Sequence, residues 1–300
     1  DHLVYQREAG VCATRPTCPP GEPAFTVSLT TGVASSSKWV TSSTVLTVLE
    51  EQIAKGKVAS LDAALDTKVT PILDCPKKPT GPVTDITMRH LLSFTSGVIP
   101  DHPCVEDKAS TLKGCACQIL ADSSDAMTTS PTKANAKTTA SPPETTFKYG
   151  ASHLTIAGAV IEAVTGKPWT TVFQEKVATP LNLSMTYKSS VNLAGSISAS
   201  TEDYARFVRA IFHDGLGDKP KQILSKEAVL AQRAKQVPPT AVPLIIPLEG
   251  QDYGLNTWRW CYAPFDASVV TDLQGKLKAA PACDQVFQSG HGGKGGYQPF

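Results

Sequence analysis

Strand-like segments stand at both ends of this 300-residue chain and helical ones fill its middle, so a sheet has to be closed by segments distant in sequence. Residues His2 to Glu8 and Ala24 to Thr30 read as strands divided by a Cys/Pro/Gly loop, and Tyr253 to Tyr262 and Val286 to Tyr297 are strand-like. Between them, Val40, Val45, Val48, Leu49 and Ile53 recur at helical spacing after Ser35, ending at Lys55-Gly56-Lys57. Ser60 to Leu73 is a short amphipathic piece, and Ile86 to Phe94 reads as a helix stopped by Thr95-Ser96-Gly97. Asp122 to Thr146 is rich in Ser, Thr, Ala and Pro and reads as a lid-like loop of low complexity. Helices follow over Tyr149 to Thr165, closed by Gly166, then near Thr201 to Phe212 and Lys226 to Arg233. The order predicts one domain, 1–300, with a sheet lobe over about 1–60 and 190–300 and a helical lobe over about 61–189.

The first helix opens on Ser35-Ser36-Ser37-Lys38. If the chain is helical from Ser35, its hydroxyl and the Lys38 amine lie one turn apart on one face, near enough to share a proton. The same S-x-x-K spacing occurs at Ser110 and Ser130. Ser130 sits in a Ser/Thr/Pro tract, and Ser110 runs into Gly114 and a cysteine cluster, so neither is expected to have a helix that holds its pair rigid. On mechanism alone Ser35 is either a nucleophile with a built-in base or surface decoration at a helix start.

A net charge of +1, with both signs scattered, argues against a nucleic-acid surface. No apolar run reaches membrane-spanning length. The partner expected is a small molecule or a neutral polymer. Eight cysteines fall in groupings that suggest Cys12 with Cys18, Cys104 with Cys115 or Cys117, and Cys261 with Cys283. Disulfides are preferred to a metal site, because there is no CxxC knuckle and no histidine spaced as zinc ligands are. With Asp1 following no apolar leader, this reads as a processed secreted or periplasmic chain, or a trimmed one.

The motifs now stand in a telling order. Ala34 to Lys38, Ser60-Leu61-Asp62, Ile86-Thr87-Met88-Arg89-His90-Leu91-Leu92-Ser93-Phe94-Thr95-Ser96-Gly97, Phe147-Lys148-Tyr149-Gly150-Ala151, Pro180-Leu181-Asn182-Leu183, Ala194 to Ser198 with Asp203-Tyr204, and Gly290-His291-Gly292-Gly293 follow one another. Together they resemble the serine beta-lactamase-like hydrolases: class C beta-lactamases, DD-peptidases and related family VIII-type esterases. The resemblance implies an α/β (α+β) beta-lactamase/transpeptidase-like fold, with an antiparallel sheet flanked by helices plus an all-helical lobe. It implies Ser35 as the acylated nucleophile, Lys38 and Tyr149 sharing base and acid work, and a substrate-binding and oxyanion strand at His291, Gly292, Gly293 and Lys294. The backbone N–H groups of Ser35 and Lys294 would form the oxyanion hole, with no metal or cofactor. Read without the resemblance, Tyr149 is a buried helix-start tyrosine and His291 a turn histidine among glycines. Neither Lys38 nor Tyr149 works as a base at its free pKa near 10, so burial or proximity has to lower it.

Two positions depart from the family pattern. Ala151 stands where class C enzymes carry an asparagine that holds the substrate's amide side chain, and His291 stands where they carry a lysine. Histidine is mostly neutral at pH 7, so an anchor for a substrate carboxylate is lost. Both departures favour a secreted ester hydrolase over the alternatives of a beta-lactamase, a D-amino-acid-specific peptidase, or an inactive binding relative. A G-x-S-x-G elbow and a phosphate loop are both missing. Family members also carry an N-terminal helix and further C-terminal strands, so the expectation is a sheet completed by a second polypeptide segment or trimmed by processing.

Overall fold

The computed structural model describes residues 26–129, 139–217, 221–244, 251–261 and 287–292. Helix α1, Ser37–Ala54, is the organising element, and its side chains from Ser37 to Leu49 are all buried. A helix enclosed on every side shows little amphipathic stripe. Its hydroxyls are satisfied in place: Thr41 bonds the Leu193 carbonyl at 2.7 Å, Ser42 that of Leu255 at 2.8 Å, and Thr44 that of Val40 at 2.9 Å. Returning a hydroxyl to a carbonyl lets Ser and Thr occupy a core position without an orphaned polar group.

Helices α2 (Leu61–Leu65), α6 (Ser152–Thr165) and α9 (Lys226–Arg233) pack on α1, while α3 (Thr70–Leu73), α4 (Met88–Leu92), α5 (Leu112–Thr129) and α7 (Trp169–Phe173) pack on α6; α8 spans Thr201–Phe212. Strand β1, Thr31–Gly32, pairs antiparallel with β4, Ile197–Ala199, which pairs in turn with β3, Thr186–Tyr187. Strands β6 (Gln251–Tyr253), β7 (Trp258–Cys261) and β8 (Phe287–Gly290) form a second antiparallel sheet, with Trp258 opposite Gly290. A short parallel pair joins β2, Thr146–Phe147, to β5, Val242–Pro243. The N-terminal strand β1 thus pairs with β4 from the middle of the chain, and among the described residues the C-terminal strands β6 to β8 form a separate sheet instead of closing on it.

Several sequence expectations are corrected. Within Ala24 to Thr30, the described residues 26–30 form no strand: the Leu29 N–H closes a turn on Thr26, and the Val27 carbonyl accepts the Glu202 N–H at the start of α8. The expected loop Asp122 to Thr146 is helical as far as Thr129. It escaped notice because α5 turns serines inward, Ser123 accepting the Ile99 N–H at 3.1 Å and Ser124 donating to the Thr80 carbonyl at 2.8 Å. A helix therefore does follow Ser110, but Ser110 lies outside it, its hydroxyl on Asp107, and Lys113 is exposed. The helix expected from Tyr149 begins at Ser152. His2 to Glu8 and the Ser130 motif lie outside the described residues.

Two disulfides staple α5. Cys104 pairs with Cys115, one of the expected options, whereas Cys117 takes Cys75, which spacing alone left unpaired. Cys12, Cys18 and Cys283 lie outside the described residues. Two disulfides, and no membrane-spanning helix among the described residues, are consistent with an extracellular protein. Bridging a sequence separation of 42 restricts the unfolded chain by about 4 kcal/mol in the loop-entropy account. Replacing Cys75 and Cys117 together by alanine should lower unfolding stability by that order in a urea titration; a loss under about 1 kcal/mol would contradict it.

Candidate active site

Ala34, at φ +47°, is in a left-handed conformation that costs a residue with a side chain about 1–2 kcal/mol. It swings the chain from β1 into a 3₁₀ turn over Ala34–Ser36 that runs directly into α1. Ser35 therefore sits in the turn rather than in the α-helix. In 3₁₀ geometry residues i and i+3 eclipse, and the Lys38 Nζ lies 3.1 Å from the Ser35 Oγ. The neighbouring hydroxyls are committed elsewhere: Ser36 donates to the His291 carbonyl at 2.6 Å, and Ser37 accepts the Ile197 N–H at 3.0 Å. Ser35 is only half-buried.

Lys38 is 4% exposed, and its second contact is the Ala194 carbonyl at 3.0 Å. Burial lowers its pKa from 10.5 to about 7, against an opposing pull from the Asp101 charge. At neutral pH a large fraction of the amine is uncharged and able to accept a proton. Tyr149 lays its ring face 4.7 Å from the same Nζ. Burial pushes the Tyr149 pKa upward; the Ser35 hydroxyl nearby opposes this and the Asp101 charge adds to it. The sequence expectation that both groups are lowered holds for the lysine alone, because burial destabilises whichever form is charged.

His291 is fully buried, and burial, reinforced by the nearby Lys38, lowers its pKa to about 3. Its Nδ1 lies 2.9 Å from the Gly292 carbonyl, which can only accept, so the proton is on Nδ1. Nε2 is left as an acceptor, 3.3 Å from the hydroxyls of both Tyr149 and Tyr253. This histidine offers no positive charge. Gly292 is half-buried, while Gly293 and Lys294 lie outside the described residues.

Ser35, Lys38, Tyr149 and His291 thus come together from the α1 entrance, the loop before α6 and the end of β8. Sequence reasoning passed over Tyr253, Trp258, which stacks on Tyr149 at 5.9 Å and 24°, and Asp101. The aromatic repeat of Tyr253-Gly254-Leu255-Asn256-Thr257-Trp258 was the available signal for the first two; Asp101 had none beyond following Thr95-Ser96-Gly97. A hydroxyl beside a partly deprotonated amine, with a protonated phenol against the same amine, is equipped for acyl transfer.

A family model described as Beta-lactamase matches residues 26–298. Among solved structures, a candidate beta-lactamase from Bacteroides dorei superposes with a TM-score of 0.62 at 28% identity, covering 82% of this chain and 70% of that one. An octameric penicillin-binding protein homologue from Pyrococcus abyssi gives 0.58 at 17% identity, covering 80% of this chain and 55% of that protein. The D-amino acid amidase of Ochrobactrum anthropi gives 0.53 at 18%, covering 82% and 74%. The chain therefore spans little more than half of the Pyrococcus protein. No curated protein gives a significant match.

Proposed function

Because the chain belongs to the beta-lactamase family, whose fold is that of serine hydrolases, we propose that it is a secreted hydrolase of carboxylic esters working through a Ser35 acyl-enzyme. The observation that carries this is the 3.1 Å contact between the Ser35 hydroxyl and a buried lysine whose pKa is about 7. Neutral Lys38 takes the Ser35 proton as Oγ adds to the ester carbonyl. The Tyr149 hydroxyl, held protonated by burial, gives its proton to the departing alkoxide and recovers one from the Lys38 ammonium. The Tyr149 ring face above Nζ favours that transient cation. Water then enters by the reverse proton route, releasing the acid and Ser35. Backbone N–H groups of Ser35 and Lys294 are the proposed oxyanion donors.

An ester is favoured over a beta-lactam or a D-peptide because His291 is neutral and Ala151 has no side-chain amide. With p-nitrophenyl butanoate and nitrocefin offered separately, the ester should be turned over at least about 100-fold more efficiently, the scale of one lost charged contact. Faster turnover of nitrocefin would transfer the site to the antibiotic-hydrolysing branch.

A further inference from the structure

The segment Pro100–His102 is clipped onto the turn that carries Tyr149. Gly150 permits the approach: a Cβ there would stand 2.3 Å from the Pro100 carbonyl oxygen. That carbonyl accepts the Ser152 N–H at 2.8 Å, and the His102 N–H donates to the Ser152 hydroxyl at 3.0 Å. His102 is held in turn by Asp122, 2.9 Å from its Nε2, and Cys104 is tied to Cys115. Asp101, between these anchors, is exposed, and its Oδ1 accepts the Ala151 N–H at 3.0 Å. The carboxylate is therefore fixed beside the very residue where the family's asparagine side chain is missing.

We infer that Asp101 is a specificity-determining residue, selecting substrates whose acyl portion carries a protonated amine close to the scissile carbonyl. One oxygen of its carboxylate is occupied by the Ala151 N–H and the other is left to meet an ammonium group. Its charge is felt at both Lys38 and Tyr149, which puts it within electrostatic reach of the reacting atoms. His291, uncharged beside Tyr149, offers a carboxylate nothing. A negative group beside Ala151 and an uncharged histidine at the position of the family's lysine reverse the charge preference that a lysine and an asparagine would create. This rests on the hydrolase reading above.

The test compares kcat/KM for p-nitrophenyl 3-aminopropanoate and p-nitrophenyl butanoate, which differ by an ammonium in place of a methyl group. Wild-type protein should prefer the ammonium ester by about tenfold at low ionic strength, as a partly exposed charge pair allows. Asp101→Asn keeps an acceptor for the Ala151 N–H while removing the charge, and should bring the ratio close to one. Asp101→Glu should retain a preference. A wild-type ratio of one or less, or a ratio unchanged in Asp101→Asn, overturns the inference. Turnover of neither ester with Ser35 unlabelled by a fluorophosphonate overturns the hydrolase reading and this inference with it; turnover of both without preference overturns this inference alone.

Discussion

Ser35→Ala is expected to abolish labelling by a fluorophosphonate probe and to lower kcat/KM for p-nitrophenyl butanoate by roughly 10⁴-fold or more, the scale on which serine hydrolases lose activity with their nucleophile. The effect should be chemical rather than structural. Removing Oγ leaves Lys38 its bond to the Ala194 carbonyl, and a half-buried serine costs little stability when truncated. Unfolding midpoints should therefore be nearly unchanged. The adjacent serines are poor substitutes because their hydroxyls are already engaged with the His291 carbonyl and the Ile197 N–H. A probe adduct that survives in Ser35→Ala would place the nucleophile elsewhere.

Lys38→Met keeps an unbranched side chain one atom shorter and cannot accept a proton. It should reduce kcat/KM by about 10³-fold, within the range attributed to general-base catalysis. The pH dependence gives a sharper readout. With Lys38 as the proposed base, activity requires the uncharged amine, so kcat/KM should rise with pH through about 7, where Lys38 loses its proton. Tyr149, displaced upward by burial, contributes no limb in this range, and His291 is already neutral above about 3. In Lys38→Met the limb near neutrality should vanish from the residual activity. A limb that persists unchanged would assign it to another group.

The legibility of the chain followed how each element is buried. Helices α8 and α9 begin and end where their sequence stripes do, because each has one apolar face and a serine at its N-cap, Ser200 and Ser225, bonded to the third residue's N–H. Helix α5 was missed because Gly114 stands near its start and inward Ser123 and Ser124 continue its apolar stripe as polar residues in its second half. The strands are two to four residues long among the described residues, too short for alternation to be read. At the site, Ser35 and Lys38 were visible because one turn of chain joins them. Tyr149 and His291 needed a family pattern, since 142 residues separate them. Asp101 and Tyr253 enter through loop and sheet contacts that no local spacing records.

The burial of Lys38 has a consequence for how this protein can be improved or can decay. In the unfolded chain its amine keeps a pKa near 10.5, and in the fold it falls to about 7. Between those values the unfolded state binds more protons, so stability climbs with rising pH; below about 7 both states are protonated and the whole penalty, on the order of 5 kcal/mol, weighs on the fold. The proposed base is thus a standing weakness of the structure that houses it. Breeding for heat resistance without an activity screen would tend to discard this lysine first, yielding sturdier proteins with an idle serine.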